Sequence, residues 1–349
     1  MKTDIRQLDE SSIFVYAPGL EAVFAASAFC ADTKESRLLL SGVYEEKTLH
    51  ALRNRFRYLT EILSGMRAVT PLPMMDALLD LEPEELAAKH LQKRWMSLSV
   101  EERVFRQGEW RYFDVSRAQL KKAVQDDDAL AAVLVRLEQG GVPFLALRAF
   151  LRENDRLTTD FFSLAKALDL PCLRQALKAA RKEINALYEQ IAKELQTEKP
   201  LAVAEKRMGK TFRNRGPYER YFFLPVRMLA GRATRLFFDN GTKHNRQMLF
   251  LSLLQKDTTD DADAVPPLKA LADASRYRMM QLLGAEGPLR GTEIAKRLSL
   301  APSTVTHHLE LLKEAGLVTE EPSGNAKYFG VIRDGMRALF ELLQRDLLP

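Results

Sequence analysis

The chain has 349 residues, of which 46% are hydrophobic and 28% charged, and a net charge of +5. This length exceeds one ordinary domain, and the composition excludes a disordered or fibrous protein. The longest uncharged apolar run, Ala22 to Ala31, is too short to span a membrane, and Met1 to Glu10 alternates charges, so we predict a cytoplasmic protein without a membrane partner. Cys30 and Cys172 are the only cysteines, and their distance in sequence favours two buried thiols over a disulfide framework.

Residues 1–170 carry mostly helical patterns. Ser12 to Tyr16 is a short apolar stretch typical of a strand, and Pro18 opens a helix that runs to about Ala31. Apolar residues then recur at helical spacing in six further segments, which are separated by prolines and glycines. These predicted helices cover residues 49–69, 83–97, 100–106, 116–139, 143–153 and 159–168.

The longest predicted helix covers residues 171–196 and begins at Pro171. Its apolar residues alternate between spacings of four and three, so they share one face. This stripe consists of Leu173, Leu177, Ala180, Ile184, Leu187, Ile191 and Leu195. A stripe of this kind packs against another helix, either inside a core or across a dimer seam.

Three strands are predicted after this helix, and the surrounding sequence is basic. Residues 221–224, 236–238 and 248–254 are rich in aromatic and aliphatic side chains, and Asn240-Gly241 is typical of a hairpin turn. The last strand leads into residues 257–263, which are polar and mostly Asp.

The basic stretch covers residues 199–246, which contain twelve Lys and Arg but only three acids. Within it, Arg213 and Arg215 are candidates for contacts with phosphate or another anion. The alternative interpretation is that the basic side chains pair with acids elsewhere in the fold.

The acidic residues and Pro266-Pro267 together indicate a linker over residues 257–267 with a stiff end. We therefore predict a helix-rich α+β domain with a late β-hairpin over residues 1–256 and a second domain over residues 268–349. The fold class is mainly α with a small β content.

The second domain begins with two helices and a tight turn. Asp273 is placed to cap a helix, and Ile294, Ala295 and Leu298 recur at helical spacing in a second one. Residues 299–301 are too few for anything but a turn, and Pro302 opens a third helix without losing a needed amide donor. The apolar face of the first helix is formed by Leu271, Met279, Met280, Leu282 and Leu283.

The third helix has two distinct faces. Val305, Leu309 and Leu312 follow helical spacing and must face the core. The side chains of the opposite face are polar and mostly short, so the helix can come close to base edges in a major groove. Longer side chains would keep the helix backbone away from the bases. This outer face consists of Ser303, Thr304, Thr306, His307 and Glu310.

A β-hairpin is predicted after the third helix. Gly316 ends that helix as a left-handed cap. Residues 317–320 and 327–331 then have strand patterns on either side of Pro322-Ser323-Gly324-Asn325. A helix-turn-helix followed by such a hairpin is a winged helix.

About 80 residues resemble the DNA-binding domain of the ArsR/SmtB family of bacterial repressors. The segments that carry the resemblance are LKALADASRYRMMQLL, TEIAKRL, APSTVTHHLELLKEAGLV and the GNAKYF hairpin. The resemblance implies a homodimer that inserts the third helix into the major groove of an imperfectly palindromic DNA site and lays the wing against the neighbouring backbone or minor groove. The long front region is similar in layout to ArsR-type regulators with an uncharacterised amino-terminal domain.

Several residue roles are implied by this resemblance. The residues matching the base-reading positions are Ser303, Thr304, Thr306 and His307. The residues matching the wing are Asn325, Lys327 and Tyr328. A last helix over residues 332–347 is expected to form the dimer interface through Met336, Phe340, Leu343 and Leu347.

Metal sensing of the family's usual kind is not expected. The segments that match the family's metal-binding helices, residues 292–298 and 334–348, contain no Cys and no His, whereas soft and borderline metals require thiolate or imidazole ligands. His307 and His308 point about 100° apart on a helix and are a poor metal site. His308 is expected to pack at the helix edge, and Ser303 and Thr304 have helix capping as their alternative role.

No catalytic motif is present. The sequence has no glycine-rich phosphate loop, no GxSxG, no HExxH and no metal-spaced Cys/His cluster. We therefore predict a non-enzymatic, cofactor-free repressor that is controlled by a non-metal signal, a small molecule or a protein, through its front domain. The alternative is a sensor protein or an unrecognised enzyme whose front domain carries the main activity and whose winged helix regulates its own gene.

Overall fold

The structure is a computed structural model that describes residues 2–70, 72–108, 110–137, 141–209, 211–212, 216, 218–230, 233–237, 245–253, 264–323 and 326–347. The chain divides into two compact units. The front unit comprises Met1–Thr197 and Tyr218–Leu253, and the rear unit comprises Glu198–Pro217 and Leu254–Pro349. The domain boundaries inferred from the sequence stay a prediction.

A five-stranded mixed sheet lies in the front unit. Its strands are β1 (Asp4–Gln7), β2 (Ser12–Tyr16), β3 (Arg220–Val226), β4 (Thr234–Phe237) and β5 (Arg246–Ser252). They are ordered β1-β2-β3-β5-β4, and the three central strands are parallel while the two edge strands are antiparallel to their neighbours. The four strand predictions in this region are confirmed, but the predicted turn at residues 240–241 lies outside the described residues.

The helices of the front unit lie in sequence between β2 and β3. They are α1 (Glu21–Ala31), α2 (Lys34–Ser41), α3 (Glu46–Arg55), α4 (Arg57–Gly65), α5 (Ala88–Met96), α6 (Val100–Gln107), α7 (Arg117–Gln125), α8 (Asp127–Arg136), α9 (Phe144–Arg152), α10 (Asn154–Leu168), α11 (Pro171–Ala179) and α12 (Arg181–Glu194). One hydrophobic core joins α1 to most of the other helices and to the sheet, and it contains Trp95 and Trp110.

Four helices that the sequence predicts as continuous are broken. Residues 83–97 form a short 3-10 helix at Pro83–Glu85 and then α5, with Leu86 and Ala87 between them. Residues 49–69 form α3 and α4 with a break at Phe56, and residues 116–139 break where the Asp126 side chain accepts a hydrogen bond from the Ala129 amide and caps α8. The prediction of one long helix over residues 171–196 is wrong, because α11 ends at Ala179 and α12 begins at Arg181. The apolar spacing continues across each junction, so periodicity alone does not reveal the break.

A buried carboxylate connects the sheet to α1. Glu21 is 2% exposed at the start of α1, and its two oxygens accept hydrogen bonds from the backbone amides of Arg227 (3.0 Å) and Met228 (2.8 Å), just after β3. Burial raises the pKa of Glu21 to about 7, although the two backbone hydrogen bonds act in the opposite direction. The start of α1 and the chain leaving β3 are therefore held together by a group that titrates near neutrality.

The Glu21→Gln variant tests this arrangement. Because the pKa of Glu21 is higher in the folded state than the ordinary value of 4.5, its contribution to the free energy of unfolding is full below pH 4.5 and is lost as the pH rises to about 7. We expect the difference in stability between wild type and variant to change by up to ~3 kcal/mol over this range. Urea unfolding followed by the fluorescence of Trp95 and Trp110 measures it. The exposed Glu84→Gln is the control, and parallel pH profiles of wild type and Glu21→Gln would contradict the assignment.

The rear unit contains the predicted winged helix. Its elements are α13 (Pro200–Met208), α14 (Val265–Leu271), α15 (Ala274–Glu286), β6 (Leu289–Arg290), α16 (Gly291–Leu298), α17 (Pro302–Glu314), β7 (Val318–Ser323), β8 (Ala326–Val331) and α18 (Arg333–Leu347). The strands form an antiparallel sheet ordered β6-β8-β7. Pro266 and Pro267 lie in the first turn of α14. Residues 257–263 lie outside the described residues, so the linker over residues 257–267 stays a prediction. Among the described residues, no helix is both long and apolar enough to cross a bilayer.

Candidate DNA-binding surface

Three helices of the rear unit enclose a small core that fixes the orientation of α17. Val305, Leu309 and Leu312 of α17 are buried and share this core with Met279 of α15 and Ile294 of α16. The inward face of α17 is therefore the one that the sequence predicts. Since the core fixes that face, the opposite face of α17 must be turned outward.

Local signals fix the ends of the helices. The Asp273 side chain accepts hydrogen bonds from the amides of Ser275 and Arg276, both at 3.0 Å, and so caps α15 as predicted. Between α16 and α17 only three residues remain, and Ser299 adopts a left-handed φ of 54° there. Gly316 follows α17 with a φ of 71°, which is the predicted left-handed end.

The outward face of α17 is polar and exposed. Ser303, Thr304, Thr306 and His307 are all exposed. The Thr306 hydroxyl donates to the Pro302 carbonyl at 3.0 Å, which leaves its oxygen able to accept a hydrogen bond. The Ser303 and Thr304 side chains make no hydrogen bond among the described residues, so no capping bond supports their alternative role.

The two neighbouring histidines of α17 have different surroundings. His307 is exposed, whereas His308 is half-buried with its Nδ1 3.4 Å from Nη1 of Arg276. Because the guanidinium can only donate, His308 Nδ1 accepts in this pair. His308 therefore packs at the helix edge, as predicted. Within the described part of the chain, no group of three or more His, Cys, Asp or Glu residues is arranged to hold a metal ion.

The wing carries a charged cluster at its base. Lys327 of β8 and Lys313 of α17 place their ammonium groups 2.7 Å and 2.9 Å from the two carboxylate oxygens of Glu320. Burial alone raises the pKa of Glu320, but the two lysines outweigh burial and hold the pKa below its usual value. The cluster ties the wing to α17. Asn325, the other predicted wing contact, lies outside the described residues.

Tyr328 is placed differently from the sequence expectation. Its side chain is only 5% exposed, and its hydroxyl accepts a hydrogen bond of 2.7 Å from Nε of Arg290. The guanidinium of Arg290 also lies over the ring, 5.2 Å from its centroid. The Tyr328 ring therefore supports the side chain of Arg290, which is exposed. The sequence did not predict a role for Arg290, because β6 and β8 pair although they are far apart in the sequence.

The last helix presents an apolar stripe on its outer side. Leu339 and Leu342 of α18 are buried, whereas Phe340 is 61% and Leu347 is 70% exposed. Met336 and Leu343 are half-buried, and Met336 packs against the core formed by α15, α16 and α17. The four residues predicted for the dimer interface thus lie on one side of α18, and two of them leave large apolar side chains in solvent.

The basic stretch over residues 199–246 is divided between the two units. Arg213 and Arg215 lie outside the described residues, so their contacts with phosphate or another anion stay a prediction. Arg246 is buried and its guanidinium contacts the Glu82 carboxylate at 2.9 Å, while Lys206 pairs with Glu198 at 3.1 Å. For these two residues, the alternative of pairing with acids holds.

Comparison with known proteins gives matches to the C-terminal region and leaves the rest of the chain unmatched. A family model described as a helix-turn-helix domain matches residues 271–321. An HTH-type transcriptional regulator of Mycobacterium tuberculosis is 36% identical over 77 residues, which cover 22% of this chain and 71% of that protein. No solved structure matches.

Two further relatives are similar over about a quarter of the chain. A homolog of the cadmium resistance transcriptional regulatory protein, from Staphylococcus aureus, is 30% identical over 88 residues, 24% of this chain and 73% of that protein. The transcriptional activator HlyU of Vibrio cholerae is 30% identical over 92 residues, 26% of this chain and 84% of that protein. With its winged helix and these relatives, the chain belongs to the ArsR/SmtB-type family of helix-turn-helix transcriptional regulators.

Proposed function

We propose that this DNA-binding regulator is a homodimeric repressor that reads an imperfect palindrome with α17 and responds to a non-metal signal through its front unit. One observation carries the proposal: the outward face of α17 consists of short, polar, exposed side chains on a helix whose other face is fixed in the core. Ser303, Thr304, Thr306 and His307 are the proposed base contacts. Repression follows if the dimer occupies promoter DNA that the polymerase needs.

The exposed stripe of α18 supports the dimer. Phe340 and Leu347 leave apolar surface in solvent that a second copy of the same stripe covers in a two-fold interface. A dimer of this kind places its two α17 helices about 34–36 Å apart, which is one turn of DNA. Met336 and Leu343 border the proposed interface.

The wing and the start of α16 supply the proposed contacts with the DNA backbone. Lys327 and Asn325 are proposed as wing contacts, and Tyr328 is proposed to act by holding Arg290. Arg290 presents its guanidinium at the surface, next to the first turn of α16. An arginine held in this way loses less side-chain freedom when it binds a phosphate.

We propose a non-metal signal because the segments that match the family's metal-binding helices lack the residue types that bind these metals. The stretches that match the family's metal-binding helices, residues 292–298 and 334–348, offer no thiolate or imidazole. Zinc or cadmium ions are therefore expected to leave DNA binding unchanged. The front unit, which has its own core and its own cavity, is proposed as the sensor and not as an enzyme.

An in vitro selection tests the proposed function. The purified full-length chain is mixed with a pool of random duplexes, and bound DNA is sequenced over several rounds at fixed salt. We expect an inverted repeat whose half-sites are centred about 10–10.5 base pairs apart. A reporter gene placed behind the selected site is expected to be transcribed less when the protein is present. Unchanged sequence diversity after selection, or higher transcription, would contradict the proposal.

The Arg290→Gln variant tests the backbone contacts separately. Because a phosphate contact carries no sequence information, we expect the variant to weaken binding to the selected site and to a scrambled duplex by the same factor. The slope of log affinity against log salt should also become shallower by about 1. Arg148→Gln, an exposed arginine of the front unit, is the control. An unchanged salt slope would remove Arg290 from the DNA contact.

A further inference from the structure

A cavity of about 300 Å³ lies in the front unit, between α1, the start of α2 and the chain that follows β3. It lies beside the carboxyl end of β3, in the parallel part of the sheet. In open α/β sheets, the carboxyl ends of parallel strands are where ligands bind. The volume is at the lower end of the range for small-molecule sites.

The cavity is held in shape by the buried carboxylate of Glu21. The Glu21 carboxylate accepts hydrogen bonds from the amides of Arg227 and Met228, and Met228 is one of the residues that line the cavity. The wall that follows β3 is therefore fixed to the start of α1 before any ligand arrives. A preformed site loses less free energy in ordering when it binds.

The lining is mostly apolar, includes the hydroxyl residues Ser27, Thr33 and Ser36, and carries two opposite charges. Phe24, Ala28 and Leu229 are buried side chains that contribute to the apolar wall. Arg67 and Glu35 also line the cavity, and both are exposed.

Neither charge is neutralised within the described residues. The guanidinium of Arg67 donates to the Ala31 carbonyl at 3.2 Å, but it contacts no carboxylate there. Glu35 likewise forms no ion pair in the parts of the chain that are described, so the two side chains do not neutralise each other across the cavity. One cation and one anion therefore flank the same apolar space.

We propose that this cavity binds a small zwitterion with an apolar body, of the class of apolar α-amino acids. The ligand's carboxylate contacts Arg67, its ammonium contacts Glu35, and its side chain lies against the apolar wall. A plain carboxylate leaves a second anion near Glu35, and a plain amine leaves a second cation near Arg67. A polar body loses its hydration against the apolar wall without gaining hydrogen bonds. Binding is independent of the proposed function, whereas the ligand's role as the regulatory signal rests on it.

Calorimetry on the full-length protein tests the binding. The probes are L-leucine, L-methionine and L-phenylalanine, together with 3-phenylpropionate, which lacks the ammonium of phenylalanine, and 2-phenylethylamine, which lacks its carboxylate. We expect at least one amino acid to bind. If phenylalanine binds, each truncated analogue should bind about tenfold more weakly, because each loses a hydrogen-bonded charge. Failure of all three amino acids to bind overturns the proposal.

Two charge-removing variants assign the contacts. Arg67→Gln should weaken binding of the amino acid about tenfold without weakening binding of 2-phenylethylamine. Glu35→Gln should weaken binding of the amino acid about tenfold without weakening binding of 3-phenylpropionate. Arg148→Gln, which changes an exposed arginine that does not line the cavity, should bind like wild type. Both Arg67 and Glu35 are exposed, so the variants keep the fold. Amino-acid binding that both variants leave intact contradicts the assigned site.

The regulatory role is measured in a separate titration of the protein with its selected DNA, with and without the amino acid. Release of DNA by the ligand supports its role as the signal. Ligand binding without any change in DNA affinity leaves the cavity assignment intact and rejects the signalling role. If no DNA site is selected at all, calorimetry still decides whether the cavity binds a zwitterion.

Discussion

Replacing Phe340 by lysine is expected to separate the dimer and to abolish binding to the palindromic site. Phe340 is the largest exposed apolar side chain of the α18 stripe, at 61% exposure. A buried aromatic residue at the centre of an interface contributes about 2 kcal/mol or more, and a two-fold interface contains it twice. The dimer dissociation constant should therefore rise by about 1,000-fold, since ~4 kcal/mol corresponds to that factor.

Sedimentation velocity over a range of concentrations measures this change. The Phe340→Lys variant should sediment as a monomer where wild type is a dimer, and its fold should be intact because the Phe340 side chain is mostly exposed. Glu341→Gln, which changes the net charge by the same amount on an adjacent exposed residue of α18, should remain dimeric. A dimeric Phe340→Lys protein would show that the α18 stripe is not the interface.

Replacing Thr306 or His307 by alanine is expected to reduce affinity for the selected site while leaving affinity for scrambled DNA unchanged. Both side chains are exposed on the outer face of α17. Loss of one direct contact with a base costs about 1–3 kcal/mol, which corresponds to roughly 5- to 150-fold in affinity. Non-specific binding depends on phosphate contacts, which these two uncharged substitutions do not remove.

Fluorescence anisotropy with both duplexes at one salt concentration measures the two affinities. Glu314→Gln, at the carboxyl end of α17, is the control on the same helix and should alter both affinities equally. If Thr306→Ala and His307→Ala weaken both duplexes by the same factor, these residues do not read bases. The two residues would then contribute to DNA binding in general and not to sequence recognition.

The rear unit was predictable because its signals are local. Asp273 as an N-cap, Pro302 at the first turn of α17 and Gly316 in the left-handed conformation each fix one end of a helix within a few residues of sequence. The outward face of α17 follows from helical periodicity once Val305 and Leu309 are assigned to the core. All of these features depend on residues that are close together in the sequence.

The front unit was predicted less completely because its organisation is non-local. β2 pairs with β3, which lies about 200 residues later, and no local pattern specifies that the pair is parallel. β1 and α2 were missed, and the apolar spacing over residues 171–196 hid the break at Ala180. The role of Glu21 could not be predicted from the sequence, because its partners are the backbone amides of Arg227 and Met228, which lie about 200 residues later.

The wing also contains a contact that the sequence alone does not predict, because it depends on the pairing of distant strands. In the sequence Tyr328 resembles an exposed aromatic contact, but the alternation of β8 places Phe329 in the core and Tyr328 on the other face, under Arg290. The pairing of β6 with β8 brings Arg290 to that position. Arg290 could be recognised only once this cross-strand neighbour was known.

The central claim is that the exposed polar face of α17 recognises a DNA sequence. Its most direct measurement is the ratio of two dissociation constants of the full-length protein, one for the selected duplex and one for a scrambled duplex of the same length and composition, at the same salt concentration. We predict tighter binding to the selected duplex by about 1,000-fold or more. A ratio near one would contradict the claim, because binding would then depend on phosphate contacts alone.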